Sequence, residues 1–221
     1  MVDELLSDRE QEEALRNWWR ENWSFVLSGV VLGLALLFGW RWWDARQVQQ
    51  GETAAVAYRD FLAALDGGDR AAAEALESEL ERRFSGSPYV DQGHLAFARA
   101  LVDLRDFDAA AARLRTVMEE SEDDELRSVA RTRLARVLIE QQKYDEALGL
   151  LDPARAGAFA ALHHVLRGDA FAAKGDAAAA LTEYEAALAM PAEDPTIDRE
   201  LVRLKADELG AIPVAGAGES S

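Results

Sequence analysis

A continuous apolar stretch from Trp23 to Trp43, WSFVLSGVVLGLALLFGWRWW, constrains the fold of this chain more than any other feature. Between Asn22 and Trp40 it contains no charged residue. At about 1.5 Å per residue, this uncharged run forms a helix of roughly 28 Å, close to the thickness of the hydrocarbon core of a bilayer. All six tryptophans lie at or near its two ends, as in the aromatic belts of membrane helices. The stretch predicts a transmembrane helix at residues 23–43.

Two other interpretations of this stretch were weighed. A buried core helix would have to bury six tryptophans, although the rest of the chain offers no second aromatic-rich element to receive them. A cleaved signal peptide has a shorter apolar region followed by small residues, whereas Trp-Arg-Trp-Trp follows here. An uncleaved membrane anchor fits the pattern best.

The charges that flank the span indicate its orientation only weakly. Three arginines precede the span and two follow it closely, so the positive-inside rule leans slightly towards a cytoplasmic N-terminus. A short tail ahead of a large domain also fits an anchor whose C-terminal part is translocated. We therefore expect a cytoplasmic segment at residues 1–22 and a translocated domain after the span.

Within the span, Gly29 and Gly33 lie one helical turn apart. Small residues at this spacing let two membrane helices approach closely. Glycine is common in membrane helices, so the pattern by itself is weak. We take Gly29 and Gly33 as a candidate contact face for a partner helix.

The chain after the span is rich in alanine, and its apolar residues recur every three or four positions, which predicts an all-α domain over residues 48–209. Three phrases within it align in phase: RDFDAAAARL at 105–114, QKYDEALGLL at 142–151 and GDAAAALTEY at 175–184. Their alanines, Ala110, Ala147 and Ala180, are separated by 37 and 33 residues. This period is typical of a helix–turn–helix repeat of about 34 residues.

Two further positions keep the same phase. A small residue stands twelve positions before each aligned alanine, and a larger one stands four positions after it. The small residues are Ala98, Ala135 and Gly168, and the larger ones are Leu114, Leu151 and Tyr184. Small residues fit where the two helices of a unit cross, and large ones fill the spaces between units. The pattern resembles tetratricopeptide repeats, which stack into an α-solenoid.

The ends of the repeat domain depart from this pattern. Residues 54–84 form a degenerate first unit, and Pro153 should shorten the second helix of the second complete unit. A helix at 197–209 should cap the last repeat with Leu201, Leu204 and Leu209. The remaining residues, 210–221, lack an apolar pattern, and we expect them to be disordered.

The concave side of such a solenoid is a candidate groove for a partner. The repeat phase predicts that the first helix of each unit lines it, with Gln92, Leu95, Arg99, Val102, Val129, Thr132, Arg136, Ile139, Leu162, Val165, Asp169 and Ala172. Apolar residues alternate here with two arginines, as would suit an extended or helical peptide. The set does not match the lysine and asparagine residues by which some tetratricopeptide proteins hold a C-terminal carboxylate. A groove that binds nothing, or only the chain's own segments, is the alternative.

Composition and motifs argue against catalysis. The net charge of −17 disfavours nucleic acid and broad contact with anionic lipid, and the absence of cysteine excludes disulfides and thiol chemistry. His94 and His164 occupy the same repeat position, so we interpret them as packing residues. The acidic run at 119–125 lacks the glycine and the ligand alternation of a calcium loop. We predict a protein that is not an enzyme and uses no cofactor or metal.

The N-terminal third carries a closer resemblance. The tryptophan-rich anchor, with WWREN at 18–22 and GWRWW at 39–43, followed by an alanine-rich tetratricopeptide domain of this size, is similar to the YfgM family. These proteins are ancillary subunits of the bacterial SecYEG translocon, anchored in the inner membrane. The resemblance implies a cytoplasmic N-terminus, a periplasmic repeat domain and contact with the translocon. It also implies partnership with a membrane-anchored periplasmic chaperone of the prolyl-isomerase type.

Two functions remain open at this point. The first is a membrane-tethered interaction protein that assists exported chains at the translocon. The second is a structural scaffold of another envelope complex, such as outer-membrane protein assembly, without client binding.

Overall fold

The computed structural model describes residues 2–192 and 194–210. All regular elements in those residues are helical, so the predicted all-α fold is confirmed. The α-helices are α1 (Val2–Asp66), α2 (Arg70–Phe84), α3 (Pro88–Asp103), α4 (Phe107–Glu120), α5 (Asp124–Glu140), α6 (Tyr144–Leu150), α7 (Ala160–Lys174), α8 (Ala177–Ala189) and α9 (Arg199–Gly210). Two short 3-10 turns, Pro153–Arg155 and Gly157–Phe159, join α6 to α7. The segment predicted to be disordered lies outside the described residues, except for Gly210 at the end of α9.

The chain divides into two compact units, Met1–Thr53 and Ala54–Ser221. In the first unit, α1 is long and apolar enough to cross a membrane, with a mean hydropathy of 1.9 over a window of which 0% is buried. Phe25 and Trp40, for example, are 76% and 68% exposed. A helix that is apolar on all sides must be buried in a core or span a membrane, so this exposure favours the membrane-spanning interpretation.

The second unit is a row of helix pairs joined by one recurring turn. Gly68, Arg105, Gln142 and Gly175 all have positive φ angles, of 71°, 61°, 61° and 89°. In each turn the following residue donates its N–H to the carbonyl oxygen five positions earlier, as Asp106 does to Leu101 at 2.8 Å. This is the Schellman end of a helix. The last three turns are 37 and 33 residues apart, the same spacings as those of the aligned alanines. Gly68 forms the same turn in the degenerate first repeat at residues 54–84.

The small residues of the repeat lie where the pattern predicts close contact. Ala110, Ala147 and Ala180 are 0% exposed. At Gly168 a methyl group would lie 2.4 Å from Cε1 of Tyr184, so the tyrosine ring occupies the space that a side chain would need. The close crossing of α7 and α8 therefore requires glycine at position 168.

The second complete repeat, formed by α5 and α6, has a short second helix. Helix α6 has 7 residues, whereas the corresponding helices α4 and α8 have 14 and 13. Asp106 and Asp176 cap α4 and α8 with their carboxylates, but Lys143 provides no side-chain cap to α6. Pro153 then begins a 3-10 turn. The predicted shortening at Pro153 is confirmed.

The C-terminal helix packs by a different face from the one predicted. Val202 and Ala206 are buried in a cluster with Tyr184 and Ala187 of α8, while Leu201 and Leu204 are 50% and 60% exposed. The expectation that these two leucines cover the last repeat is therefore wrong. Small and β-branched residues one turn apart allow α9 to approach α8 more closely than two leucines would.

Candidate functional site

The twelve predicted groove residues lie on α3, α5 and α7, the first helices of the three complete units. Three of them are exposed: Gln92, Arg99 and Arg136. Six are partly buried: Val102, Val129, Ile139, Leu162, Asp169 and Ala172. Three are buried: Leu95, Thr132 and Val165. The first nine present atoms to solvent, and the last three contribute mainly to helix packing.

Thr132 illustrates the buried positions. Its hydroxyl donates to the backbone carbonyls of Ser128 and Val129, at 3.2 and 2.8 Å. The polar atom of this side chain is thus used within its own helix. No described contact directs it towards a ligand.

A pocket of about 510 Å³ opens between α3 and α5. Its cations, from α3, the turn after it and α5, are Arg99, Arg105, Arg133 and Arg136. Its apolar surface comes from Ala98, Val102, Phe107, Leu114 and Val137, and Glu140 is the one carboxylate in the lining. We call this site the arginine pocket. Its volume falls within the range of small-ligand sites, roughly 300–1,000 Å³.

The arginine pocket concentrates positive charge in an acidic chain. Burial, followed by repulsion from Arg99 and Arg136, lowers the pKa of Arg133 below its ordinary value. The guanidinium remains charged at neutral pH because that ordinary value is so high. Arg99 contacts Asp103 at 3.4 Å, but both side chains are largely exposed, so the pair screens the pocket only slightly.

The α7 end of the predicted groove is different, because other side chains of the protein already bind its polar residue, Asp169. The hydroxyl of Tyr184 donates to Asp169 at 2.7 Å, and the ammonium of Lys205 on α9 lies 2.6 Å from the same carboxylate oxygen. Burial and the hydrogen bond to Asp169 raise the pKa of Tyr184, so its phenol stays protonated and continues to donate. Asp169 is therefore held by α8 and α9.

A cluster of possible metal ligands lies apart from this pocket. One donor atom from each of Glu77, Glu81 and His94 lies within 4.8 Å of the others. However, Arg113 donates to both oxygens of Glu77, at 3.1 and 2.9 Å. The same guanidinium stacks on Phe97 with its carbon 4.0 Å from the ring centre. The arginine supplies the positive charge that a metal would bring, so the cluster fits an ion network joining α2, α3 and α4.

The other two histidines have structural surroundings as well. His164 contacts Glu183 of α8 at 2.7 Å, and Arg167 donates to the other oxygen of that carboxylate at 2.7 Å. His163 is 2% exposed, and burial lowers its pKa below the ordinary value. His164 is thus held between α7 and α8, and His163 is part of the interior.

In the first unit, Gly29 and Gly33 are exposed, and no atom of the chain lies within 4 Å of a methyl group built at either. The face that they form is therefore open along α1. Its contact with a partner helix stays a prediction.

Sequence reasoning missed two cations of the arginine pocket, Arg105 and Arg133. The repeat phase places Arg133 one position beyond the predicted Thr132, and about 100° around the helix from it. Arg105 begins the aligned phrase at 105–114, but it lies in the turn, and the groove was predicted from the first helices alone. The run RTRLAR at 131–136 could have indicated Arg133. At about 100° per residue its three arginines spread around the helix, so at least one of them must face the groove.

Comparison with known proteins extends over most of the chain. A family model described as a tetratricopeptide repeat-like domain matches residues 16–211. A protein of Escherichia coli (strain K12), named ancillary SecYEG translocon subunit, is 32% identical over 180 residues, which cover 81% of this chain and 86% of that protein. Proteins of the same name from Haemophilus influenzae and Neisseria gonorrhoeae are 28% and 26% identical, over 91% and 92% of this chain and 98% of each relative.

Proposed function

Because the chain belongs to the family of ancillary SecYEG translocon subunits, we propose that it is a membrane-anchored, non-catalytic protein that associates with a SecYEG translocon. The observation that carries this proposal is the extent of the similarity. It covers 98% of the Haemophilus influenzae relative, so the anchor and the repeats are shared together. The name of the relatives describes a subunit of a protein complex. A tetratricopeptide domain with an open pocket is suited to binding other proteins in such a complex.

We further propose the place of the protein in the cell. The anchor crosses the bacterial inner membrane once, with the N-terminus in the cytoplasm and the repeat unit in the periplasm. The excess of arginine before the span and the family resemblance support this orientation. In the periplasm the repeat unit would meet exported chains and a membrane-anchored chaperone of the prolyl-isomerase type.

Two surfaces support association by different routes. The Gly29/Gly33 face suits a membrane helix of a partner, and the arginine pocket suits a soluble segment. A docked anchor keeps the repeat unit at a high effective concentration beside its partner, so two weak contacts can give a stable complex. Neither contact then needs a large interface.

Orientation is tested by single cysteines in this cysteine-free chain. Ser7→Cys marks the N-terminal segment, and Ser85→Cys marks the exposed end of α2. A membrane-impermeant thiol reagent on intact spheroplasts should label position 85 and leave position 7 unlabelled until the cells are lysed. Labelling of position 7 alone would overturn the orientation.

Association is tested by a photo-crosslinking amino acid at Val102 in the arginine pocket, with Glu119, exposed near the end of α4, as the control position. Crosslinks from position 102 to translocon subunits or to newly exported chains support the proposal. A single unrelated envelope protein, captured at both positions, supports the scaffold function instead.

The membrane contact has its own test. Gly29→Leu with Gly33→Leu should reduce recovery of SecYEG after affinity purification, because leucine keeps the helix backbones apart. Ser24→Leu with Val31→Leu alters the opposite face of the helix and serves as the control. Equal recovery for both double variants would exclude this face as the contact.

A further inference from the structure

In the arginine pocket four cations line a single cavity that contains one carboxylate. The chain as a whole carries a net charge of −17. A random placement of its basic residues on such a surface would leave most of them beside acids. The pocket therefore has the opposite sign from its surroundings, and its electrostatic complement is an anion.

Two partly buried arginines of the second unit, Arg113 and Arg167, are neutralised inside the protein. Arg113 binds both oxygens of Glu77, and Arg167 binds Glu183 and the carbonyl of Leu151. Such bonds are the usual arrangement for guanidinium groups near a protein interior.

The cations of the pocket have few partners within the protein, and all four side chains are exposed to solvent and free to meet a ligand. Among residues 2–192 and 194–210, Arg105, Arg133 and Arg136 make no side-chain hydrogen bond or ion pair, and Arg99 has only its exposed contact with Asp103 at 3.4 Å. Burial, followed by repulsion from Arg99 and Arg136, lowers the pKa of Arg133. A bound carboxylate would relieve that repulsion and accept hydrogen bonds from two planar guanidinium groups at once.

Apolar side chains lie beside these cations. Val102 and Phe107 are partly buried and keep apolar surface open to the cavity, whereas Leu114 and Val137, which are 1% and 4% exposed, form its closed base. Inorganic phosphate would gain nothing from that surface, whereas a peptide segment with a hydrophobic residue next to an acid would bury apolar area against it. Anionic lipid presents a broad charged surface, which the acidic remainder of the chain repels, whereas a single segment contacts only the pocket. The combination selects a polypeptide.

We propose that the arginine pocket is a docking subsite for a polypeptide segment in which aspartate or glutamate alternates with large apolar residues. The inference rests on the proposed function, because it specifies the chemistry of the segments that the repeat unit receives. Two or more carboxylates of the segment pair with Arg99, Arg133 and Arg136. The intervening apolar side chains contact Val102 and Phe107.

The proposal is tested with the full-length protein in detergent and three fluorescent peptides of equal length. The first alternates Leu and Glu, the second alternates Leu and Gln, and the third alternates Ser and Glu. We expect the first to bind best, and removal of either its acids or its apolar residues to weaken it about tenfold, the equivalent of about one charged hydrogen bond. Binding should also weaken as salt is raised.

Variants locate the binding. Arg133→Gln with Arg136→Gln should weaken the Leu/Glu peptide about tenfold or more, while Glu140→Gln, which removes the carboxylate of the pocket, should strengthen it. Arg82→Gln with Arg203→Gln changes the net charge equally at exposed positions outside the pocket and should have little effect. Equal weakening by both arginine pairs would overturn the proposal, because it would show a response to net charge alone.

Two results separate this inference from the proposed function. If the Arg133→Gln/Arg136→Gln protein still crosslinks from position 102 to exported chains as efficiently as the parent, association stands and the acidic chemistry is refuted. If the peptide binds as expected but no translocon subunit is recovered with the full-length protein, the pocket stands and the proposed function is refuted. Vesicles of anionic lipid that compete with every peptide equally would also overturn the inference.

Discussion

Replacement of Gly168 by alanine tests the packing of the last repeat most directly. An alanine in the middle of a helix is ordinarily more favourable than glycine by about 1 kcal/mol. Here the added methyl group would lie 2.4, 2.6 and 3.0 Å from three carbons of the Tyr184 ring. Ordinary contacts between such atoms lie near 3.5–4.0 Å, so the ring or the helix must move by about 1 Å.

The surroundings of Tyr184 limit that movement. Its side chain is 2% exposed, and its hydroxyl is bound to Asp169 at 2.7 Å. Overpacking of this kind costs about 1–3 kcal/mol, and a strained hydrogen bond to a charged acceptor adds about 1 kcal/mol. After the gain in helix propensity is subtracted, we expect Gly168→Ala to lower the free energy of unfolding by about 2 kcal/mol. For a unit of this size that corresponds to a fall in Tm of roughly 4–8 °C.

The assay is thermal and urea unfolding of the full-length protein in detergent, followed by circular dichroism. Gly149→Ala is the matched control, because Gly149 is an exposed helical glycine with no atom within 4 Å of an added methyl group. It should stabilise the protein by up to about 1 kcal/mol. The double variant Gly168→Ala/Tyr184→Leu should show a favourable coupling energy. If both glycine variants stabilise equally, or if the double variant is strictly additive, the assigned contact between position 168 and the ring is wrong.

Three further predictions concern stability and use the same unfolding assay. Glu77→Ala should lower the free energy of unfolding by about 3 kcal/mol, because it leaves Arg113 without its partner in a nearly buried site. Glu79→Ala, at an exposed ion pair, should lower it by less than about 1 kcal/mol. Equal losses of stability would refute the role of the Glu77–Arg113 network. Gln142→Gly should raise Tm, because the native φ of 61° is strained for any residue with a side chain; a fall in Tm would contradict this. The lowered pKa of His163 means that the unfolded chain binds more protons as pH falls below the ordinary histidine value. Stability should thus be full above about pH 7 and decline towards pH 5, and His163→Leu should reduce that decline; an unchanged decline would assign it to other groups.

Much of the fold could be predicted because its rules are local and repetitive. Two helices that approach closely at the same angle in each repeat need a small residue at the crossing. The spacing of Ala110, Ala147 and Ala180 therefore predicted three crossings, and all three alanines are fully buried. The face of α9 could not be predicted in the same way. Leu201 and Leu204 have the spacing of a buried stripe, but the shape of the surface on α8 selected Val202 and Ala206 instead.

The candidate site was only partly accessible to the same reasoning. The repeat phase identifies the helices that line the groove, which is how Arg99, Val102 and Arg136 were found. Whether a position faces the groove or the next helix depends on a rotation of a few tens of degrees that is set by packing across units. That rotation brought Arg133 into the pocket and turned Thr132 towards its own backbone.

The contact between Lys205 and Asp169 has a consequence for any segment that lies along the repeats. At the α7 end the acidic group is already neutralised at 2.6 Å by the terminal helix, while the α3–α5 end keeps its uncompensated cations. The two ends of the predicted groove thus differ in charge. A segment with its acids clustered at one end would accordingly have a preferred orientation along the repeats, so that N-to-C and C-to-N orientations of the same composition are no longer equivalent.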